Sequence, residues 1–397
     1  MSQTAHLVAP ATTILRTLEA ANEGNPLPPP PIKVHDVVVV IGTRPEAVKL
    51  QPVVARLGRR ARVVHTGQHF DQDLWTQVAG DLELPQPHHR IEVGGLSRGE
   101  QIGLATAGLT AHLLAHPPSA VVVQGDTNST LAGALAANAC GIPLVHVEAG
   151  LRSGDRAMPE ESNRLLVDQI ADVCCAPIHA NAVQLAHEGV ADDRIAVTGS
   201  TLPRAVAALL PERHDLTALL RRHAVAAQGY VLATMHRAGN VEDPATLDSL
   251  LTALDNLGHD TPVLLPMHPN TRARAEAWGL VSPLRRVRVL GPLAPVEFLA
   301  LESAAGLLVS DSGGVQEEAA LFGVPLVILR DTTERPELLG TWARLLGRSD
   351  PTTELRRAWR DAPTWRGDIA VAGAAYPDVD AADHIVDALD NALLRRP

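Results

Sequence analysis

The chain has 397 residues, more than the roughly 100–200 of one ordinary domain, so two domains are expected. With 46% apolar and 20% charged residues it is not a mainly disordered chain, and no stretch approaches the ~18 uninterrupted apolar residues of a membrane helix. The formal charge of −11 argues against non-specific nucleic-acid binding but leaves room for a local basic cleft holding phosphates.

The N-terminus shows no basic segment followed by an apolar run, so no secretory signal is read and the cytoplasm is expected. Residues 1–34 read as a flexible extension. A short helical pattern leads through Asn22-Glu23-Gly24-Asn25 into a proline-rich run, Pro26 to Pro31, that suits an extended spacer. From Val37 the pattern changes. Val37 to Ile41 is a continuous β-branched run, as in a strand buried on both faces of a parallel sheet, and it ends at Gly42-Thr43-Arg44-Pro45. Further strands are predicted at Arg62–Thr66, Ala120–Val123, Leu144–Val147, Val173–Ala176 and Ile195–Thr198, with helical spacing between most of them. A second series runs through Tyr230–Thr234, Val263–Pro266, Val287–Leu290, Leu307–Val309 and Leu326–Leu329. Strands alternating with helices mean an α/β fold, here two doubly wound parallel-sheet domains. The first is expected over residues 35–204 and the second over 205–375, with a C-terminal helix about 380–395 packing back on the first.

Polar residues gather just after the strands, at Gly42-Thr43-Arg44, Gly67-Gln68-His69, Gly125-Asp126-Thr127, Glu148-Ala149-Gly150, His236-Arg237, His268-Pro269-Asn270 and Asp311 to Gly314. Open α/β sheets bind ligands outside the carboxyl ends of their strands, and two such domains facing each other would place these loops around one cleft. In Ser310 to Ala319 an apolar strand enters a Ser-Gly-Gly turn and then a helix, a geometry that offers main-chain N–H groups to an anion. No G-x-G-x-x-G follows the first strand and no P-loop is present, which disfavours a dinucleotide or a P-loop NTPase. The phosphate belongs to another nucleotide. Only Lys33 and Lys49 are lysine among 34 basic residues, so Lys49 stands out where arginine is the default cation. The three cysteines have no metal-type spacing. His88-His89 lies in a proline-containing loop without spaced partners, and no metal site is assigned.

Seven segments in order carry a resemblance: Gly42 to Lys49, Thr66 to His69, Gly125 to Thr127, His146 to Arg152, Pro159 to Arg164, Ser310 to Glu318, and Thr333 to Glu337. Together they closely resemble the non-hydrolysing UDP-N-acetylglucosamine 2-epimerases, which have the two-domain glycosyltransferase-B fold, and the likeness spans about Val37 to Asp350. The resemblance implies interconversion of UDP-GlcNAc and UDP-ManNAc by a soluble enzyme, expected as a homodimer, without redox cofactor. The C2 proton of the sugar is not acidic. UDP therefore leaves C1 as C2 is deprotonated, giving 2-acetamidoglucal, and adds back with a proton delivered to the opposite face. Such a scheme needs carboxyl groups for proton transfer and a clamp for departed UDP.

Asp126, Glu148 and Glu160 match positions the family uses in catalysis, with helix capping the competing reading for Asp126 and Glu160. The clamp candidates are Arg44, Lys49, His236 and the Ser312-Gly313-Gly314 turn, with His236 directed at the leaving diphosphate and Glu318 at the ribose. Arg164 either orients a carboxylate or makes a surface salt bridge. A second UDP-GlcNAc site in bacterial relatives is matched by Gln68, Arg237 and His268, while Asp71 replaces a glutamine and Ala238 and Gly239 replace a cation and a carboxylate. Altered self-activation is expected. The competing readings are a UDP-sugar glycosyltransferase of the same fold, a hydrolysing epimerase that releases ManNAc, and a nucleotide-sugar binding protein without catalysis.

Overall fold

A computed structural model describes residues 36–68, 79–80, 82–210, 213–347, 349–376 and 380–395. The predicted N-terminal extension, His69 and Asp71 lie outside the described residues. Among them, no helix is long and apolar enough to cross a membrane.

The chain divides into two compact units. The first comprises residues up to Leu151, Arg156–Thr201 and the C-terminal helix; the second comprises Arg152–Asp155 and Leu202 onward up to that helix. The first contains a seven-stranded sheet of β1 (Val37–Ile41), β2 (Ala61–His65), β3 (His89–Arg90), β4 (Ala120–Gln124), β5 (Leu144–Val147), β6 (Val173–Ala176) and β7 (Ile195–Val197). Every pairing is parallel and the spatial order is β3-β2-β1-β4-β5-β6-β7. The second contains β8 (Val231–Thr234), β9 (Val263–Pro266), β10 (Val287–Leu290), β11 (Leu307–Ser310), β12 (Leu326–Ile328) and β13 (Ala343–Leu345), ordered β10-β9-β8-β11-β12-β13 and again all parallel. In both sheets the first strand lies beside the fourth, so the strand order reverses at β1/β4 and at β8/β11. Loops leaving such neighbouring strands diverge and open a crevice.

The strand sequences explain this architecture. Val37 to Ile41 are at most 1% exposed, and the same holds for Val121 to Val123, because crossover helices cover both faces of a parallel sheet. Two strands escape the sequence reading. β3 is only two residues long, pairs with Val64 and His65, and follows a proline-rich stretch that suits an edge. β13 lacks the β-branched run of its neighbours and pairs with Leu326 to Ile328. The C-terminal helix Ala381–Arg395 packs on the helix Arg44–Leu57 of the first unit. Arg60 grips Asp390 through two N–H···O contacts of 2.6 and 3.0 Å, and Arg56 donates to Asp383. The cysteines are free; Cys174 and Cys175 are buried in β6, where burial pushes the Cys175 thiol up to about 12.

Candidate active site

In the first unit the loops after β1, β4 and β5 are tied together by buried charges. Glu46, in the first turn of the helix Arg44–Leu57, folds back so that one carboxylate oxygen accepts from the main-chain N–H groups of Gly42 (3.0 Å) and Thr43 (2.7 Å). Its other oxygen accepts from the hydroxyls of Thr127 (2.7 Å) and Thr130 (3.0 Å). Burial raises the Glu46 pKa above the usual carboxylate value, against the pull of these hydrogen bonds. Arg44 opens the same helix and is half-buried. Gln68, after β2, accepts from the N–H (2.9 Å) and hydroxyl (2.8 Å) of Ser129 and so anchors the helix that follows β4.

Glu148 follows β5 with φ of 64°, a region that a non-glycine residue occupies at a cost of about 1–3 kcal/mol. Lys49 Nζ donates to Glu148 Oε1 at 2.6 Å, and Gln124, from β4, donates to Oε2. Both members of the ion pair are at most 9% exposed, so neither the solvated lysine nor a solvated carboxylate describes them. The rare lysine is there because a buried carboxylate needs a compact cation beside it. Its partner within the protein is Glu148. Asp126 leaves β4, whose last residue Gln124 stands opposite Val147 of β5, so the Asp126 and Glu148 loops rise from neighbouring strand ends. Arg164 Nη2 donates to Asp126, while Arg164 Nη1 donates to Glu161 Oε2 at 2.7 Å. At 3% exposure Arg164 is no surface salt bridge; it holds two carboxylates at once. Glu160, on the same helix Pro159–Ile170, is half-buried, and its side chain has neither hydrogen bond nor ion pair among the described residues.

Two residues in this unit went unread in the sequence. His146, in β5, and Asp168 are fully buried, with His146 Nδ1 at 2.6 Å from Asp168 Oδ1 and Nε2 at 2.8 Å from the Gly125 carbonyl. A histidine inside an otherwise aliphatic strand, Leu144-Val145-His146-Val147, is the one signal that pointed there; Asp168 carries none. Gly150, at φ 83°, accepts no other residue type: an added Cβ would stand 2.4 Å from the Asn181 carbonyl oxygen.

In the second unit Asp311, after β11 and 0% exposed, organises the loop after β8. Its carboxylate accepts from the main-chain N–H groups of His236 (3.0 Å) and Arg237 (2.9 Å) and from Asn240 Nδ2 (2.9 Å). The His236 ring is half-exposed, with Nδ1 3.3 Å from Asp311 Oδ1. His268 is exposed at the end of the β9 loop; its pKa is lowered by partial burial and then by the nearby His236. Ser312 precedes the helix Gly313–Phe322, whose first-turn N–H groups have no helical acceptor and so suit an anion. A Cβ at Gly313 would lie 2.2 Å from Glu334 Oε1, so a side chain there has to push that carboxylate aside. Glu334 is buried and held by Arg330 at 2.6 Å. Gly314 has room for a side chain. The adjacent acids separate: Glu317 is fully buried against Arg335 (2.8 Å), and Glu318 is half-buried on the neighbouring face. The structure thus brings His236, His268 and the Ser312 turn to one sheet end of the second unit, and Lys49, Asp126, Glu148, Glu160 and Arg164 to one sheet end of the first.

A family model described as UDP-N-acetylglucosamine 2-epimerase matches residues 54–390. The chain belongs to the UDP-N-acetylglucosamine 2-epimerase family. It is an isomerase by that membership. The UDP-N-acetylglucosamine 2-epimerase of Methanococcus maripaludis is 37% identical over 325 residues, covering 80% of this chain and 89% of the relative. The Pseudomonas aeruginosa UDP-2,3-diacetamido-2,3-dideoxy-D-glucuronate 2-epimerase is 36% identical over 317 residues, covering 78% and 87%. Among solved structures, the Methanocaldococcus jannaschii UDP-GlcNAc 2-epimerase in complex with UDP-GlcNAc and UDP has a TM-score of 0.78 at 33% identity, covering 90% of this chain and 99% of that one. The two parallel sheets are therefore those of a glycosyltransferase-B-type epimerase.

Proposed function

We propose that this epimerase interconverts UDP-GlcNAc and UDP-ManNAc by eliminating UDP to 2-acetamidoglucal and adding it back. In the forward half a carboxylate takes the C2 proton as the C1–O bond to UDP breaks. In the return half the UDP oxygen re-forms the bond to C1 and a second carboxyl group protonates the opposite face of C2. The observation that carries this reading is the charge arrangement in the first unit: Glu148 buried against Lys49, with Asp126 held by Arg164 at the next strand end. Two carboxylates kept in fixed geometry by cations, with the less constrained Glu160 on the adjoining helix, form a proton-transfer set, whereas an acceptor-dependent transferase requires one base.

The second unit supplies UDP binding in this reading. Helix N–H groups beyond Ser312 receive the diphosphate, His236 and Arg237 balance its charge, and Glu318 accepts from the ribose. The test is incubation with UDP-GlcNAc in deuterated water followed by NMR. Deuterium at C2 together with UDP-ManNAc is the expected result. Free ManNAc with UDP would instead select a hydrolysing epimerase, and absence of any C2 exchange would overturn the proposal.

A further inference from the structure

His146 has no solvent to share its polarity with, and its two ring nitrogens face acceptors on opposite sides. Nε2 lies 2.8 Å from the Gly125 carbonyl oxygen, which only accepts, so Nε2 carries a hydrogen. Nδ1 lies 2.6 Å from Asp168 Oδ1, while Asp168 Oδ2 accepts from the Gly150 N–H at 3.1 Å. One further proton therefore sits between ring and carboxyl, and the pair is electrically neutral whichever atom carries it. The pair spans two loops. Gly125 immediately precedes Asp126, and Gly150 lies two residues beyond Glu148, whose φ of 64° needs its flanks held. Other ties hold each loop separately, Asn163 Nδ2 to the Asp126 carbonyl (2.8 Å) and Asn181 Nδ2 to the Gly150 carbonyl (3.3 Å), alongside main-chain bonds from Gly125 N–H to the Val147 carbonyl (3.0 Å) and from Ala149 N–H to the Cys175 carbonyl (3.1 Å); the His146–Asp168 pair touches both loops.

We infer that His146 and Asp168 are positioning residues that fix the Asp126 and Glu148 loops relative to each other, and that Asp168 acts through hydrogen-bond geometry rather than charge. The inference rests on reading Asp126 and Glu148 as the proton-transfer groups. It makes an unusual demand on an isosteric change. In Asp168→Asn the amide can turn so that Nδ2 donates to a neutral His146 Nδ1 while Oδ1 still accepts from Gly150, keeping both of these bonds. In Asp168→Ala both bonds vanish.

Kinetics of the full chain with UDP-GlcNAc, alongside UDP calorimetry and thermal unfolding, test it. Asp168→Ala should lose about 10²-fold in kcat with KM and UDP affinity within about threefold of the parent, and Asp168→Asn should restore kcat to within about threefold. If Asp168→Ala does not fold, His146→Asn replaces it: its amide still donates to Asp168 but leaves the Gly125 carbonyl without a donor, and the same kcat loss is expected. Proton NMR of the parent should show a far-downfield ring N–H for the Nδ1–Oδ1 contact that is absent in Asp168→Asn. Wild-type kcat in Asp168→Ala or His146→Asn overturns the inference, as does an Asp168→Asn loss equal to that of Asp168→Ala. Glu148→Gln in the same assay separates the two readings: if it is inactive while Asp168→Ala is active, only the positioning pair fails. A parent chain inactive on UDP-GlcNAc, or an active Glu148→Gln, would overturn the proton-transfer reading and this inference with it.

Discussion

At the reversal point of the first sheet, Lys49, Arg164 and His146 each meet a carboxylate, whereas at that of the second Asp311 gathers the loop after β8 through its main-chain N–H groups, with the ion pairs Glu334–Arg330 and Glu317–Arg335 beside the Ser312 turn. The strand order about the two points is the same, yet the loops of the first are tied through side-chain charges and the β8 loop of the second is tied through its backbone. Buried pairs are costly to break because the surviving charge stays desolvated. They therefore couple the geometry of these loops to folding at the first sheet. At the second sheet the tight point is Gly313, where a Cβ would stand 2.2 Å from the Glu334 carboxylate.

That contrast breaks most sharply at Glu148. Glu148→Gln should lose about 10³-fold in kcat, the scale of a missing proton carrier, while UDP affinity holds. It should also lower unfolding free energy by about 3 kcal/mol, since Lys49 is left without its counter-charge. Turnover near that of the parent would remove Glu148 from the chemistry. The opposite pattern is expected at Gly313→Ala, where the new methyl must displace the buried Glu334. Overpacking should cost about 1–3 kcal/mol of stability, and the turn it displaces should bind UDP about tenfold more weakly by calorimetry. Unchanged UDP binding would show that this turn does not hold the nucleotide.

Asp311→Asn should be milder. The three N–H groups share Oδ2, so an amide oxygen there can keep them but only as weaker, uncharged hydrogen bonds, and with the looser His236–Arg237 loop UDP affinity falls by about tenfold. An equal loss in Asp126→Asn, which should spare UDP affinity, would erase the division between the units. The smallest effect is in acid stability. His112, 7% exposed and stacked on His89 at 4.5 Å, has its pKa pushed down to about 3 by burial and by His89, His116 and His88. A depressed folded-state value means the unfolded chain takes up the proton first, near its ordinary 6.5. Stability is thus fully present above that value and is lost as the pH falls toward 3. Between pH 7 and 5 the loss should be roughly 2 kcal/mol in a urea titration. His112→Gln should flatten that slope; an unchanged slope would place the acid sensitivity elsewhere.

Runs such as Val37 to Ile41 announce buried parallel strands by themselves, because crossover helices leave such strands no polar face. The turns after them are legible for a related reason: glycine and helix-capping residues act on their immediate neighbours, so Ser312-Gly313-Gly314 points to an anion without reference to the rest of the chain. Strands without that local signature, β3 and β13, exist because a neighbour offers an open edge. Partners are another matter. Lys49 and Glu148 are 99 positions apart, Arg164 and Asp126 are 38 apart, and nothing in either neighbourhood names the other. Nor does local pattern tell Glu317, sealed against Arg335, from Glu318 beside it. The sequence by itself determined two doubly wound parallel sheets and the polar turns that follow their strands, since both follow from periodicity and turn geometry over a few residues. Only the tertiary structure decided which charge meets which, because ion pairing in a protein interior is a matter of distance in space, and the strand order β1-β4-β5 is what brings those loops together.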